Sequence, residues 1–245
     1  MSLKIGINLI KNYSINFDLP KRSKKLIKFI ILHYTGMKKE HEAIKKLCSS
    51  KSKVSCHYFI KNNGKVLIMV PDLYKAWHAG VSSWRKYKSI NKYSIGIEIN
   101  NPGHYHGYRK FSSKQILSII KLLKFLVKKY NIKKQNILGH SDVAPNRKID
   151  PGEKFPWDKL AKKNLCNWHN IDKKKLKKLR GVDLTTNEKI KFFRNLHKIG
   201  YQNVIRDKNR INLIKSFQRK YRQNLINGII DKECLLMSKN LIKKQ

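Results

Sequence analysis

The chain has 245 residues, 40% of them hydrophobic and 10% aromatic, which is enough for a packed core and excludes global disorder. Fifty-six Lys and Arg against 15 Asp and Glu give a formal charge of +41, a field that attracts polyanions and anionic surfaces. The basic residues are mostly Lys scattered along the whole length, without a nucleic-acid motif, so charge alone implies no specific nucleic-acid partner. No apolar run reaches the ~18 residues of a membrane helix, so no transmembrane segment is expected. The N-terminal stretch MSLKIGINLIKNYSINF lacks the continuous apolar region and cleavage site of a signal peptide. A cytoplasmic chain is therefore expected, with the periplasm or cell envelope as the alternative. Cys48, Cys56, Cys166 and Cys234 form no CxxC pair, which argues against a thiolate zinc site and a disulfide framework.

In chain order, LIKFIILHY (26–34) is a near-continuous apolar run, the pattern of a strand buried on both faces. EHEAIKKLCSS (40–50) reads as a short helix. SCHYFIKNNGKVLIMV (55–70) is two apolar segments around a Gly-containing turn and predicts a β-hairpin. In YSIGIEIN (93–100), Ile95, Ile97 and Ile99 point one way and Gly96, Glu98 and Asn100 the other. SSKQILSIIKLLKFLVKKY (112–130) predicts an amphipathic helix with a Ser cap and a basic last turn. NILGH (136–140) reads as a short strand that runs into GHSDVAPNRKIDPG (139–152), a stretch that can be neither helix nor strand.

Beyond Trp168 the composition changes. NIDKKKLKKLRG (170–181) reads as a linker or a solvated helix. Three helical stretches follow at 186–197, 210–222 and 231–243, with Ile211, Ile214, Phe217 and Tyr221 at helical spacing. The expected fold class is α/β, a mixed central β-sheet flanked by helices over residues 1–168. A linker over 169–185 then leads to a separate small all-α three-helix domain over 186–245.

A catalytic zinc needs three protein ligands and one open position. His33 ends the first buried strand, His140 ends another, and Asp150 lies at the far end of the irregular stretch. Strand ends are where α/β sheets place reactive groups, and His and Asp are suitable zinc donors. Spacing alone leaves the alternative open, since a lone His at a strand end is more often a hydrogen-bonded structural residue. Glu98 on its own reads equally as an ordinary solvent-facing residue, and Lys148 and Asp150 as an exposed pair.

Five motifs in order, ILHYTG, SCHYFIKNNGKV, AWHAGVSSW, YSIGIEINN and GHSDVAPNRKIDPG, resemble the zinc-dependent N-acetylmuramoyl-L-alanine amidases of the AmpD/AmiD type. The resemblance covers about residues 26 to 160. More distant relatives commonly carry Cys where this chain has Asp150. The resemblance implies an amidase/peptidoglycan-recognition-like fold and a zinc hydrolase. Its substrate is the amide between the N-acetylmuramoyl lactyl group and L-alanine in peptidoglycan or anhydro-muropeptides. It puts His33, His140 and Asp150 on the zinc positions, Glu98 on the catalytic acidic position and Lys148 on the catalytic lysine. Trp77, His78 and Trp84 fall on the family's cleft wall, where they would contact glycan or stem peptide or else be core residues.

Several residues stay outside that assignment. Arg147 and Asp142 are expected as partners within the loop, with Arg147 also suited to a substrate carboxylate. His57 is expected to be structural, and His104 and His106, an i, i+2 pair, to lie on a loop at the cleft rim. The C-terminal stretch resembles the peptidoglycan-binding type-1 domain through KIGY (198–201), IKSFQRKY (214–221) and NGIIDKECLLMSKNL (227–241). Phe217, Gln218 and the GIID turn carry that second resemblance. A non-catalytic peptidoglycan-binding protein on the same fold is the rival reading, and the presence of Glu98, Lys148 and all three ligand positions argues against it. Nothing in the sequence sets an oligomeric state.

Overall fold

A computed structural model of the chain describes residues 9–202 and 207–243. Six strands make one mixed sheet: β1 (Leu9–Lys11), β2 (Phe29–Tyr34), β3 (Tyr58–Ile60), β4 (Val66–Ile68), β5 (Ser94–Ile99) and β6 (Ile137–Gly139). Their spatial order is β1-β4-β3-β5-β2-β6. The β3–β4 hairpin is antiparallel and the other pairings are parallel. Strand β2 lies inside the sheet, between β5 and β6, and is buried on both faces, which is why FIILHY reads as an unbroken apolar run.

Among the described residues, eight helices accompany the sheet: α1 (Glu40–Cys48), α2 (Ser113–Tyr130), α3 (His140–Val143), α4 (Trp157–Lys162), α5 (Lys173–Leu179), α6 (Thr186–Ile199), α7 (Asp207–Tyr221) and α8 (Lys232–Lys243). Helix α2 begins where Ser112 and Gln115 cap each other reciprocally, and it ends at Asn131 in the left-handed conformation. Its Ile119, Leu122, Leu123 and Leu126 are fully buried against Ile30, Leu32, Ile95, Ile97 and Ile99. Burial of each such side chain contributes about 1.5–3 kcal/mol.

The other face of the sheet is divided. At one side Phe59 and Leu67 pack on Ala43 and Leu47 of α1. At the other, Phe29, Ile31 and Leu138 share a core with Phe192, Leu196, Leu213 and Phe217 of the C-terminal helices. Between these two patches the face carries His33, Gly96 and Glu98 instead of apolar groups.

The three C-terminal helices fall on the expected stretches, but they do not stand apart: the apolar groups on β2 and β6 need cover, and these helices supply it. The stretch 169–185 contains α5, whose Leu176 is buried with Leu184 in that same core. Gln218 is fully buried and holds the GIID turn, accepting from Gly228 N–H and donating to the Ile229 carbonyl. Asp231 pairs with Arg222 and caps Cys234 N–H. The stretch 139–152 also departs from expectation, because its first residues form the single turn α3. All four cysteines are free. Among the described residues, no helix is long and apolar enough to cross a membrane.

Candidate metal centre and active site

His33 sits near the end of β2, directly beside Glu98 of β5 in the parallel register. His140 leaves β6, the strand on the other side of β2, as the first residue of α3. Asp150 is brought back to the same point because Ser141 N–H donates to the Asp150 carbonyl at 2.9 Å. Gly139 permits this closure. A Cβ there would lie 2.7 Å from Pro151 Cδ, while its φ of −86° is open to any residue. Its role is therefore close approach, not conformational freedom.

The three side chains converge. His33 Nδ1 lies 2.9 Å from His140 Nδ1 and 3.1 Å from Asp150 Oδ2, and His140 Nδ1 is 3.1 Å from the same oxygen. All three residues are buried. Donors bound at ~2.0–2.1 Å around a tetrahedral ion lie about 3.3 Å apart, so the observed triangle fits one face of such a site.

Hydrogen bonds behind the histidines decide which nitrogen carries the proton. His140 Nε2 lies 3.2 Å from the Ala79 carbonyl, which can only accept, so Nε2 is protonated and the Nδ1 lone pair faces the centre. For His33 the same result passes through three groups. Ser94 Oγ donates to the Ile90 carbonyl at 2.8 Å, so it accepts from His78 Nε2–H at 3.1 Å. His78 Nδ1 then accepts from His33 Nε2–H at 3.0 Å, and His33 Nδ1 is left with a lone pair. Gly96 makes room for this chain, since a Cβ there would lie 2.4 Å from His78 Cγ.

Burial, with the His140 charge, lowers the His33 pKa to about 4, which keeps that ring neutral at neutral pH. Burial alone would raise Asp150. The charge and hydrogen bond of His140, with those of His33, hold it well below the usual carboxylate range. Glu98 goes the other way: burial and the Asp150 charge push it up to about 8, against the opposing charges of Lys148 and Lys46. Its Oε2 is buried without a hydrogen-bond partner. Glu98, Lys148, His140 and Asp150 all line one cavity of about 330 Å³, which Tyr34 and Tyr105 also border.

The remaining candidates separate. Trp77 lines the same cavity, with its indole N–H donating to Asp18 Oδ1 at 2.6 Å. Trp84 is only 2% exposed, with its ring 4.8 Å from Tyr201 in the core shared with the C-terminal helices, so it is not a cleft-wall residue. His78 borders the cavity as well, with both its ring nitrogens engaged: Nδ1 accepts from His33 and Nε2 donates to Ser94 Oγ, so it supports His33 from behind.

Arg147 borders the cavity but is no partner of Asp142. Its guanidinium donates to the carbonyls of Ala79 and Val81. Asp142 instead accepts from Gly139 N–H, Tyr201 OH and Lys220 Nζ. His57 is structural, its Nδ1 accepting from Gly96 N–H. His104 bonds Tyr34 and Glu153 on a 3₁₀ turn, while His106 is exposed, so the two share no metal site. The supporting role of His78 and the burial of Asp142 had no local signal, because their partners lie 45 and 78 residues away.

Comparison with known proteins places this geometry in a family. A family profile described as N-acetylmuramoyl-L-alanine amidase matches residues 22–153. The N-acetylmuramoyl-L-alanine amidase AmiD of Escherichia coli is 32% identical over 234 residues, 89% of this chain and 83% of that protein. The 1,6-anhydro-N-acetylmuramyl-L-alanine amidase AmpD of Haemophilus influenzae is 37% identical over 108 residues, 44% of this chain and 56% of that protein. The solved structure of E. coli AmiD with the substrate anhydro-N-acetylmuramic acid-L-Ala-D-gamma-Glu-L-Lys matches with a TM-score of 0.79 at 29% identity, covering 93% of each chain.

Proposed function

The chain belongs to the N-acetylmuramoyl-L-alanine amidase family, and from that premise we propose that His33, His140 and Asp150 hold a zinc ion, with Glu98 and Lys148 as the catalytic residues. The protein hydrolyses the amide between the N-acetylmuramoyl lactyl group and L-alanine in peptidoglycan or its anhydro-muropeptide fragments. The convergence of three buried donors at 2.9–3.1 Å, with the rear nitrogen of each imidazole already engaged, is the observation that carries the reading.

Zinc in such a site supplies Lewis acidity and brings the pKa of water down toward ~7. The chain's own groups do the rest. Glu98, with a pKa near 8, can both accept and release a proton at neutral pH. It takes a proton from the attacking water and delivers it to the departing nitrogen of L-alanine. Lys148 faces the same cavity, and its ammonium stabilises negative charge developing on the carbonyl oxygen. Trp77 and Arg147 border the cavity and are the substrate contacts in this reading. A protein that only bound peptidoglycan would gain nothing from a buried carboxylate held without a partner.

Residues 186–245 are proposed as a peptidoglycan-binding-like domain, supported by the buried Gln218 that ties down the GIID turn. Mass spectrometry of digests tests the function. Intact sacculi and isolated anhydro-muropeptide are treated in parallel, with metal analysis of the same preparation. Release of stem peptide with about one zinc per chain is expected. Protein without zinc, or intact substrates in both digests, would sink the proposal, and the faster substrate separates wall cleavage from fragment recycling.

A further inference from the structure

We propose that the C-terminal helical part is a structural component of the metal centre, acting through Lys220 as a positioning residue for His140 and Asp150. The inference rests on the metal reading above. The inner side of the stretch 139–152 faces the three donor atoms. Its outer side is gripped by residues beyond 200 at both ends, with Tyr108 also donating to the Pro151 carbonyl.

Asp142, two residues after His140, is 2% exposed. Its Oδ2 accepts from Gly139 N–H and from Lys220 Nζ, both at 2.8 Å, and its Oδ1 accepts from Tyr201 OH at 2.6 Å. Lys220 also donates to the Ile137 carbonyl of β6 at 3.3 Å, and its ammonium lies 4.4 Å from the centre of the Trp157 ring. Ser216, one turn earlier on α7, donates to the Ser141 carbonyl at 2.7 Å. Gln223, just past the end of α7, donates at 2.6 Å to the carbonyls of Glu153 and Phe155.

One short segment of the chain therefore grips both ends of the ligand-bearing stretch. Ser216 and Lys220 hold the His140 end. Gln223 holds the end that follows Asp150. Groups behind a metal ligand commonly carry about 10–100-fold in metal affinity, because they fix the ligand's position before the ion arrives.

The test uses the full chain and reads zinc affinity by chelator competition, with the visible absorption of the cobalt-substituted protein as a second signal of ligand geometry. Lys220→Met keeps the unbranched apolar stem and removes the ammonium. Leu241→Ala, in the C-terminal core away from the loop, serves as the stability control. Lys220→Met is expected to weaken zinc binding about tenfold and change the cobalt spectrum. Leu241→Ala is expected to lower the melting temperature without moving either signal. Should Lys220→Met fail to fold, Gln223→Ala, at a partly exposed position, is expected to weaken zinc by about threefold or more. Wild-type zinc affinity in the folded Lys220 or Gln223 variant overturns the proposal, as does an equal loss in Leu241→Ala. A wild-type chain that binds no zinc overturns the metal reading itself, and the parallel measurement tells the two failures apart.

Discussion

The two faces of β5 invite comparison. Ile95, Ile97 and Ile99 point into a continuous apolar core under α2. Gly96 and Glu98, on the same six residues, point into the region of the metal ligands, where Gly96 leaves room for His78 and Glu98 stands beside His33. One face is apolar throughout and supplies folding free energy. The other places an unpaired carboxylate and three histidines where apolar groups would be more stable. Stability and chemistry have been separated by the two-residue period of a strand. A substitution on either face should move one property and spare the other.

The largest expected effects lie on the site face. His33→Ala should lose both bound metal and turnover. Glu98→Gln should keep the metal, because the three donors do not include it, and lose about 10²–10⁴ in kcat. Burial and the Asp150 charge work against the ionised Glu98, so the same substitution should leave the melting temperature unchanged or raised. Metal content, single-substrate kinetics and a thermal melt on one preparation check all three. A Glu98→Gln protein with wild-type kcat would remove Glu98 from the mechanism.

Next in size is the α2 face. Leu122 is fully buried in the first core. Leu122→Ala should cost about 2–5 kcal/mol in a denaturant titration. Below its lowered melting temperature, kcat should match the wild type. A loss of kcat in the folded variant would mean that the two faces are not independent.

Much of this separation was legible before the fold was known. Alternation in YSIGIEIN placed Glu98 opposite the isoleucines, and the Ser112 cap and the basic last turn marked α2 almost to the residue. Strand ends at His33 and His140 offered two candidate ligands. What local pattern does not carry is which covering element lies over which part of a face. Glu98 looked like a surface residue because nothing near it announces that α1 and the C-terminal helices close in from either side. The irregular look of 139–152 hid the turn at its start, which is held by Asp142 and its distant partner Lys220. His78 gave no local sign of its partner, and only the fold turned its ring toward His33.

A smaller effect, spread over pH, should mark the site face alone. In the metal-free protein the folded pKa of His33 is about 4, below the unfolded value near ~6.5, because burial and the His140 charge disfavour its protonation. His57 is lowered in the same direction, to about 3, by burial and the Arg22 charge. Between these values and 6.5 the unfolded chain binds more protons than the folded one. The stabilisation is therefore present above pH ~6.5 and is lost as pH falls toward 4, by about 1.4 kcal/mol per pH unit for each histidine. Denaturant titrations of chelator-treated protein at pH 7, 6 and 5 would show it. His33→Gln should reduce the slope, whereas Leu122→Ala should lower the whole curve and leave the slope alone.

The smallest expected effect divides two tryptophans of one motif, AWHAGVSSW. Trp77 borders the cavity, while Trp84 is packed against Tyr201 in the core that joins the sheet to the C-terminal helices. Trp77→Phe removes the indole N–H that bonds Asp18 and shrinks the ring beside the cavity. An aromatic contact with substrate is worth about 0.5–1.5 kcal/mol, so KM should rise by about 2–10-fold with kcat retained. Trp84→Phe should do the reverse and lower the melting temperature while leaving KM unchanged, since no part of its buried ring reaches the cavity. The pair is the sharpest form of the comparison, because the two side chains are seven residues apart and identical in chemistry. A rise in KM from Trp84→Phe equal to that from Trp77→Phe would show that the C-terminal core and the substrate site respond together, and the division of labour between the faces would have to be redrawn around α7.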